Sequence, residues 1–361
     1  MGMVCPAQYN PADYFISKLS VEPGWQDACR THIHAVCDAF ELGSGGRAMA
    51  QDVAANQRLQ DHQDEDLEYS SHTSSGSPYR SSWGKQFHWV LWRSWLGTIR
   101  EPRLIRIRFL QGLALSILLG FMYRRSGPYV DVYSINGSLF ILIGNMTYQN
   151  MSLVVHTFCS QKELFLREHQ NGMYRPDVYF ISKNLVEAPV FTLYSIMYTT
   201  IFYLLAGYSL EWDRYLICVG TAVMLAWCAV SFGYFLSCVA PTLSIAVLLM
   251  APSLILFSLL SGFYINLRSI PLIMKGFSHL SWYTYGNEIL LVNQWTGVSN
   301  ITCAPTAARC YPDGAAILEQ LNFSEDGVVR DFASLGCLIV GYRLLAYLFF
   351  HLQTIRSKAR R

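Results

Sequence analysis

Chains that handle nucleotides, metals or nucleophiles carry the necessary residues at recognisable spacing. A phosphate-cradling loop requires GxxxxGK[ST], in which backbone donors are followed by a lysine and a hydroxyl. The one Gly-Lys pair, Gly84-Lys85, has Tyr79 in place of the first glycine and Gln86 in place of the hydroxyl. ATP hydrolysis by that route is therefore not expected of this chain. His32 and His34 are two apart, so on a helix they do not converge, and no third ligand lies near; a solvated pair is expected, and no metal site. Ten cysteines without a CxxC pair argue against a zinc ribbon. His156 has no acidic or cysteine partner at a diagnostic spacing, which leaves it a packing role.

What remains is the chemistry of binding. Phe140, Gly144, Tyr148 and Met151 recur at helical spacing, with Asn145 and Gln149 beside them. An apolar face bearing a ring and an amide suits a flat, partly polar molecule. Helix packing through small and polar residues is the alternative. Glu168 sits among Lys162, Arg167 and Arg175, where a solvated loop is the plain reading. Glu187, next to Pro189, and Arg343 interrupt apolar runs, and charge at such depth should face protein or water. Glu187 is read as interfacial or inward-facing, and Arg343 as paired inside a bundle.

The elements that must position these residues follow from where charge is missing. Of 361 residues, 52% are hydrophobic and 14% charged, against about 45–50% and about 25% in a soluble domain. With a net charge of +2, no basic field points to nucleic acid. Uncharged stretches at 132–161, 188–210 and 215–267, and one at 332–355 broken only by Arg343, compare with the roughly 20 residues that cross a bilayer. Ala240-Pro241-Thr242 splits the longest. A further span starts near Ile105, with Arg106 and Arg108 snorkelling at the interface. The chain is thus predicted to be an all-α membrane protein with spans at about 105–123, 132–158, 184–206, 215–239, 243–266 and 332–352. Basic residues outside these spans, such as Lys85, Arg100, Lys162, Lys183 and Lys358, fall mostly on the side that holds both termini, which places the termini in the cytosol.

Residues 10–42 look compact, with apolar residues at helical spacing after the Pro23-Gly24 turn. Residues 43–82 are rich in Gly, Ser, Gln and Asp and read as a flexible linker. Residues 83–103 form an amphipathic connecting helix whose aromatic residues suit a membrane interface. Residues 356–361 are a basic tail. The outer loop, 267–331, carries sequons at Asn300 and Asn322 and a close pair, Cys303 and Cys310. Two readings of that pair stay open, a disulfide in an oxidising compartment and a reduced pair. Sequons at Asn136, Asn145 and Asn150 fall in or beside the second span and are expected to stay unmodified.

Several segments carry a specific resemblance. Cys5-Pro6-Ala7-Gln8-Tyr9-Asn10-Pro11-Ala12-Asp13-Tyr14-Phe15 and Cys37-Asp38-Ala39-Phe40 resemble the stretch that follows the nucleotide-binding domain in the G subfamily of ABC transporters, the White or eye-pigment-precursor group. The run from Phe165 to Arg175, the Ser261-Gly262-Phe263-Tyr264 turn, and Ser281-Trp282-Tyr283-Thr284-Tyr285-Gly286-Asn287-Glu288 are similar to further motifs of the group, in the same order. The resemblance implies an ABC-2 type transmembrane half with six spans, a remnant of the nucleotide domain's trailing segment at 1–42, and ATP and Mg bound not here but on a nucleotide-binding domain, which in the family precedes Asn10. Met1-Gly2-Met3 stands in that place. A fragment, an alternative product and a chain that borrows ATPase activity all remain open. By the same resemblance Phe140, Asn145, Tyr148, Ile255 and Ser258 line the substrate pathway. Phe263 and Tyr264 form a hydrophobic valve above it, and Glu168, His169, Gly172 and Tyr174 couple to the nucleotide domain. The implied function is ATP-driven movement of small hydrophobic or aromatic compounds, pigment precursors of purine or tryptophan origin, by a homodimer or a heterodimer with another G-subfamily half, in lipid of the plasma membrane or a pigment granule. Sterol or lipid export, and a truncated non-transporting dimerisation partner, are the alternatives.

Overall fold

The computed structural model describes residues 5, 14–16, 19–21, 26–54, 79, 81–100, 102–124, 131–265, 271–299, 301–302, 311–324 and 327–359. Asn300, Cys303, Cys310 and the Asn10 to Asp13 segment lie outside them. The chain divides into two units, Met1–Pro78 and Tyr79–Arg361.

The first unit contains α1, Gln26–Leu42, where the helical period places it, yet no residue of α1 is buried. Ile33 and Val36 are half-buried and Phe40 is exposed, so the expected compact packing is absent among the described residues. His32 and His34 are exposed on this helix. Residues 44–54, read from sequence as linker, are helical. The run from Arg47 to Ala54 is dominated by Ala, Met, Gln and Arg, whose helix propensity outweighs the preceding glycines.

The second unit is all helical among the described residues. Its helices are α2 (Trp83–Arg100), α3 (Pro102–Met122), α4 (Val132–Gln170), α5 (Pro176–Ala206), α6 (Trp212–Val239), α7 (Leu243–Leu259), α8 (Leu272–Ser278), α9 (Trp282–Trp295), α10 (Gly314–Leu321) and α11 (Val328–Ala359). Stretches within α3, α5, α6 and α11 are long and apolar enough to cross a membrane, and α7 is a shorter apolar helix. At 39 residues, α4 is about 58 Å long and exceeds the roughly 30 Å hydrocarbon core.

Local chemistry explains the ends. Asp131 caps α4 by accepting from the amides of Tyr133 and Ser134. Pro176 opens α5, and Gly207, at φ 76, closes it in the left-handed conformation that glycine adopts without strain. Pro241 breaks the long apolar run, and Thr242 caps α7 through its hydroxyl. The fifth apolar helix stops at Leu259 rather than running to 266, because Leu260 and Ser261 turn back onto the carbonyls of Leu256 and Ser258, and Gly262 then takes φ 81.

At the centre lies α6, packed against α4, α11 and α9. Its buried face is rich in Ala, Ser and Cys, which lets neighbouring helices approach closely. The segment read as an outer loop contains a buried helix, α9. Trp282 donates through Nε1 to Thr147 Oγ1 at 3.1 Å, and Trp295 through Nε1 to Asn136 Oδ1 at 2.8 Å. Sequence reading missed this helix because its polar residues, such as Asn287, conceal an almost wholly buried cylinder.

Candidate functional site

Three groups of side chains stand out in the second unit. The first lies along α4 and the turn after α7. Phe140 is buried and stacks on Phe263 with ring centroids 4.3 Å apart, and the edge of Tyr264 meets it at 5.3 Å. The expected valve residues and the expected pathway residue thus form one aromatic cluster. One helical turn below Gly144, Tyr148 is 51% exposed and makes no hydrogen bond among the described residues. Asn145 donates to Tyr198 Oη at 2.9 Å and so faces α5. Met151 is fully buried, which removes it from the Tyr148 face where its spacing had placed it. On α7, Ile255 is exposed and Ser258 is half-buried, its hydroxyl returned to Ile255 O. Phe257, between them in sequence, is buried and packs on Trp282.

The second group ties the connecting helix to the end of α4. Arg93 grips Glu168 with both guanidinium ends, Nη1 to Oε2 at 2.9 Å and Nη2 to Oε1 at 2.7 Å. Tyr174 donates its hydroxyl to Glu168 Oε2. Bidentate charged pairing of this kind is directional as well as strong. The Arg93 bond, more than the Tyr174 hydroxyl, holds the Glu168 carboxyl below its ordinary range, against the opposing effect of burial. Burial and then Glu168 push the Tyr174 hydroxyl up. His169 is buried, its Nδ1 against Tyr174 O at 3.1 Å and its ring stacked on Phe165. Gly172, at φ 70, makes the turn that returns Tyr174 to Glu168. Gln86 Oε1 accepts from the Arg175 amide and Trp83 Nε1 donates to Asp177 Oδ2, fastening the start of α2 to the start of α5. Glu168 is therefore part of a built clamp, and not the freely solvated loop charge of the plain reading.

The third group is charge within the bundle, where the structure corrects three sequence readings. Glu187 takes the inward-facing alternative: it pairs with Lys183 at 2.9 Å, with side chains 11% and 8% exposed, and accepts from the Tyr234 hydroxyl. Arg343 has no carboxylate partner among the described residues; its Nε donates to Ser231 Oγ and its guanidinium lies 4.7 Å from the Trp227 ring centroid. An indole face and a hydroxyl satisfy it instead. Arg106 is exposed, but Arg108 does not snorkel. It is 6% exposed, donates to Asn150 Oδ1 at 2.6 Å and stacks over Tyr194 at 4.3 Å. Gly112, one turn on, lets α3 approach α5: a Cβ there would come within 2.5 Å of the Tyr194 ring. His156 does not pack; it is exposed on α4 and lines a cavity of about 340 Å³ with Arg108. The signal for Arg108 was available, since residues two apart on a helix point about 200° apart, so where Arg106 faces outward Arg108 faces the bundle.

Asn322 is exposed, with φ 63, at the C-terminus of α10. The amides of Asn136, Asn145 and Asn150 are all engaged in hydrogen bonds within the bundle.

An all-helical bundle with apolar helices of membrane-crossing length, a partly exposed aromatic face and a clamp at the end of an overlong helix defines an integral membrane protein. The sequence matches the family model for the ABC-2 type transporter over residues 85–295, and the chain belongs to that family. It is similar to Protein white of Drosophila melanogaster, 36% identical over 99% of this chain and 51% of that protein. Protein scarlet of Drosophila melanogaster is 29% identical over 96% of the chain and 52% of its own length. The "broad substrate specificity ATP-binding cassette transporter ABCG2" of Rattus norvegicus is 27% identical over 75% of the chain and 43% of its own length. The chain spans about half the length of these white-type relatives, and the matched half is the membrane domain of a G-subfamily transporter.

Proposed function

We propose that the chain is the membrane-spanning half of an ATP-driven transporter for small hydrophobic or aromatic substrates, pigment precursors of purine or tryptophan origin. The observation that carries this is Tyr148: a large aromatic side chain stays half-exposed on α4, two turns from the buried Phe140, which stacks on Phe263 and meets the exposed Tyr264. An exposed ring beside an aromatic plug offers stacking to a flat ligand and a barrier beyond it.

In this reading six spans enclose half of a pathway, α4 serving as the second and α7 as the fifth. A second G-subfamily half, identical or not, supplies the other wall. ATP and Mg act on nucleotide-binding domains, and the Arg93–Glu168–Tyr174 clamp, with His169 and Gly172, passes their motion to α2, α4 and α5. Both termini lie in the cytosol. The segment between α7 and α11 faces outside, glycosylated at Asn300 and Asn322 and bridged between Cys303 and Cys310. The membrane is the plasma membrane or that of a pigment granule.

The test is ATPase activity after co-expression with a nucleotide-binding half. Stimulation by guanine or tryptophan that is lost in Tyr148→Ala supports the reading. An ATPase rate indifferent to both compounds in the co-purified complex would overturn it.

A further inference from the structure

We propose that Glu288 of α9 and Asp331 of α11 form a carboxyl pair that binds one proton between them, and that this proton latches α9 to α11 beside the aromatic cluster. The pair is independent of the transport reading, and only its consequence for the valve rests on that reading.

One guanidinium touches both acids: Arg330 Nη2 lies 3.4 Å from Glu288 Oε1 and its Nε lies 3.3 Å from Asp331 Oδ1. The two carboxyls are thereby within hydrogen-bonding reach of each other. Asp331 is fully buried and Glu288 is buried, whereas the Arg330 side chain is 65% exposed, so water screens its charge and it compensates the acids weakly. Asp331 Oδ2 is buried with no donor among the described residues. Glu288 Oε1 has a long contact to the Ser324 amide, at 3.5 Å. The chain closes over the site at Gly327, where a Cβ would lie 3.0 Å from Glu288 Oε1.

Ionising both acids sets two desolvated like charges against one solvated cation. A single proton removes the repulsion, and a Glu288 hydroxyl then supplies the donor that Asp331 Oδ2 lacks. In keeping with this geometry, burial and then the Asp331 charge raise the Glu288 carboxyl to about 7, against the lowering effects of the Ser324 amide and Arg330. Other titratable groups stand further along α9. Tyr285 turns its hydroxyl to His279, and Arg214 of α6 binds the carbonyls of Asn293 and Gln294 at the far end. Glu319 of α10 is exposed, and α4 and α7 meet α9 through Thr147, Asn136 and Phe257, which do not titrate. The latch matters because of what α9 carries. About a turn and a half before Glu288, the Tyr283 ring lies 6.0 Å from that of Phe140. Loosening α9 from α11 therefore withdraws support from the cluster that the transport reading makes the valve.

The test is an infrared titration of the full chain in phosphatidylcholine nanodiscs from about pH 5 to about pH 9. Wild type should lose a protonated-carboxyl band with a midpoint at about 7, and Glu288→Gln should lack that band. Asp331→Asn removes the second charge and keeps a hydrogen-bond partner, so it should lower the midpoint by about one unit or more; a lone buried acid would keep its midpoint. Arg330→Gln, at an exposed position, should raise the midpoint and decides the matter if Asp331→Asn fails to fold. Amide hydrogen exchange reads the latch. Corrected for the intrinsic rate, α9 should exchange about tenfold faster above the midpoint than below it in wild type, and at one rate in Glu288→Gln. A band that survives in Glu288→Gln, or a midpoint that neither Asp331→Asn nor Arg330→Gln moves, overturns the shared proton. Exchange of α9 that ignores the titration overturns the latch. A chain that titrates as described but whose ATPase, in the co-purified complex, ignores guanine and tryptophan keeps the pair and loses the transport reading.

Discussion

Removing one partner of the Lys183–Glu187 pair should be among the most damaging single changes in the bundle. The ions are 2.9 Å apart, their side chains are 8% and 11% exposed, and Glu187 also accepts from Tyr234 and, at 3.4 Å, from Thr157. Lys183→Met leaves a buried carboxylate with two hydroxyl donors and without its ion-pair partner. Breaking such a pair costs about 3–5 kcal/mol, which for a chain of this size lowers Tm by about 6–10 °C at roughly 2 °C per kcal/mol. The assay is thermal unfolding of the detergent-solubilised chain, followed by thiol exposure of its buried cysteines, such as Cys228 and Cys238. Adding Glu187→Gln to Lys183→Met removes the stranded charge and keeps an acceptor for Tyr234, so most of the loss should be recovered. A Lys183→Met protein that unfolds within about 1 °C of wild type, or a double variant no better than the single one, would refute the reasoning that desolvated charge governs this site.

Three other outcomes follow. Because Arg93 and Tyr174 hold the Glu168 carboxyl below its ordinary range, the clamp's contribution to stability is present above that range and lost as pH falls below it, through the lowered folded-state value; the Tm difference between wild type and Glu168→Gln should shrink toward acid pH, and a constant difference would contradict the clamp. Burial, and then the Asp331 charge, raise the Glu288 carboxyl to about 7, so between 4.5 and that value the folded chain holds a proton the unfolded chain has released. Stability should fall as pH rises across that window in wild type and not in Glu288→Gln, and parallel profiles would contradict it. Asn322 is exposed at a helix end, so Asn322→Gln should remove one glycan-sized mobility shift sensitive to glycosidase, whereas substitutions at Asn136 and Asn150 should remove none.

The membrane character and most helix positions are legible in the pattern of missing charge, because a helix in lipid must keep its backbone paired and its surface apolar. The break at Pro241 and the amphipathic connecting helix follow from local residue types, whereas the meeting of Phe140 with Phe263 and Tyr264 is a tertiary contact that local types do not give. Choice of partner does not. Arg343 finds Trp227 and Ser231 rather than an acid, and Arg108 finds Asn150 and two rings, because tertiary neighbours decide which satisfying group is in reach. Beginning the third span at 184 leaves Lys183 outside it and hides an i,i+4 ion pair whose spacing is plain in the sequence. Helix α9 escapes notice for a related reason: Asn287 and Glu288 read as loop polarity, although the bundle buries both.

In the proposed function this chain lines a pathway driven by ATP elsewhere in the assembly. Uptake of radiolabelled guanine and tryptophan into inside-out vesicles, with the chain co-expressed beside a nucleotide-binding G-subfamily half, tests it most directly. The expected result is uptake that requires ATP and falls at least tenfold in Tyr148→Ala at equal abundance. Uptake that proceeds without ATP, or that is unchanged by Tyr148→Ala, would contradict it.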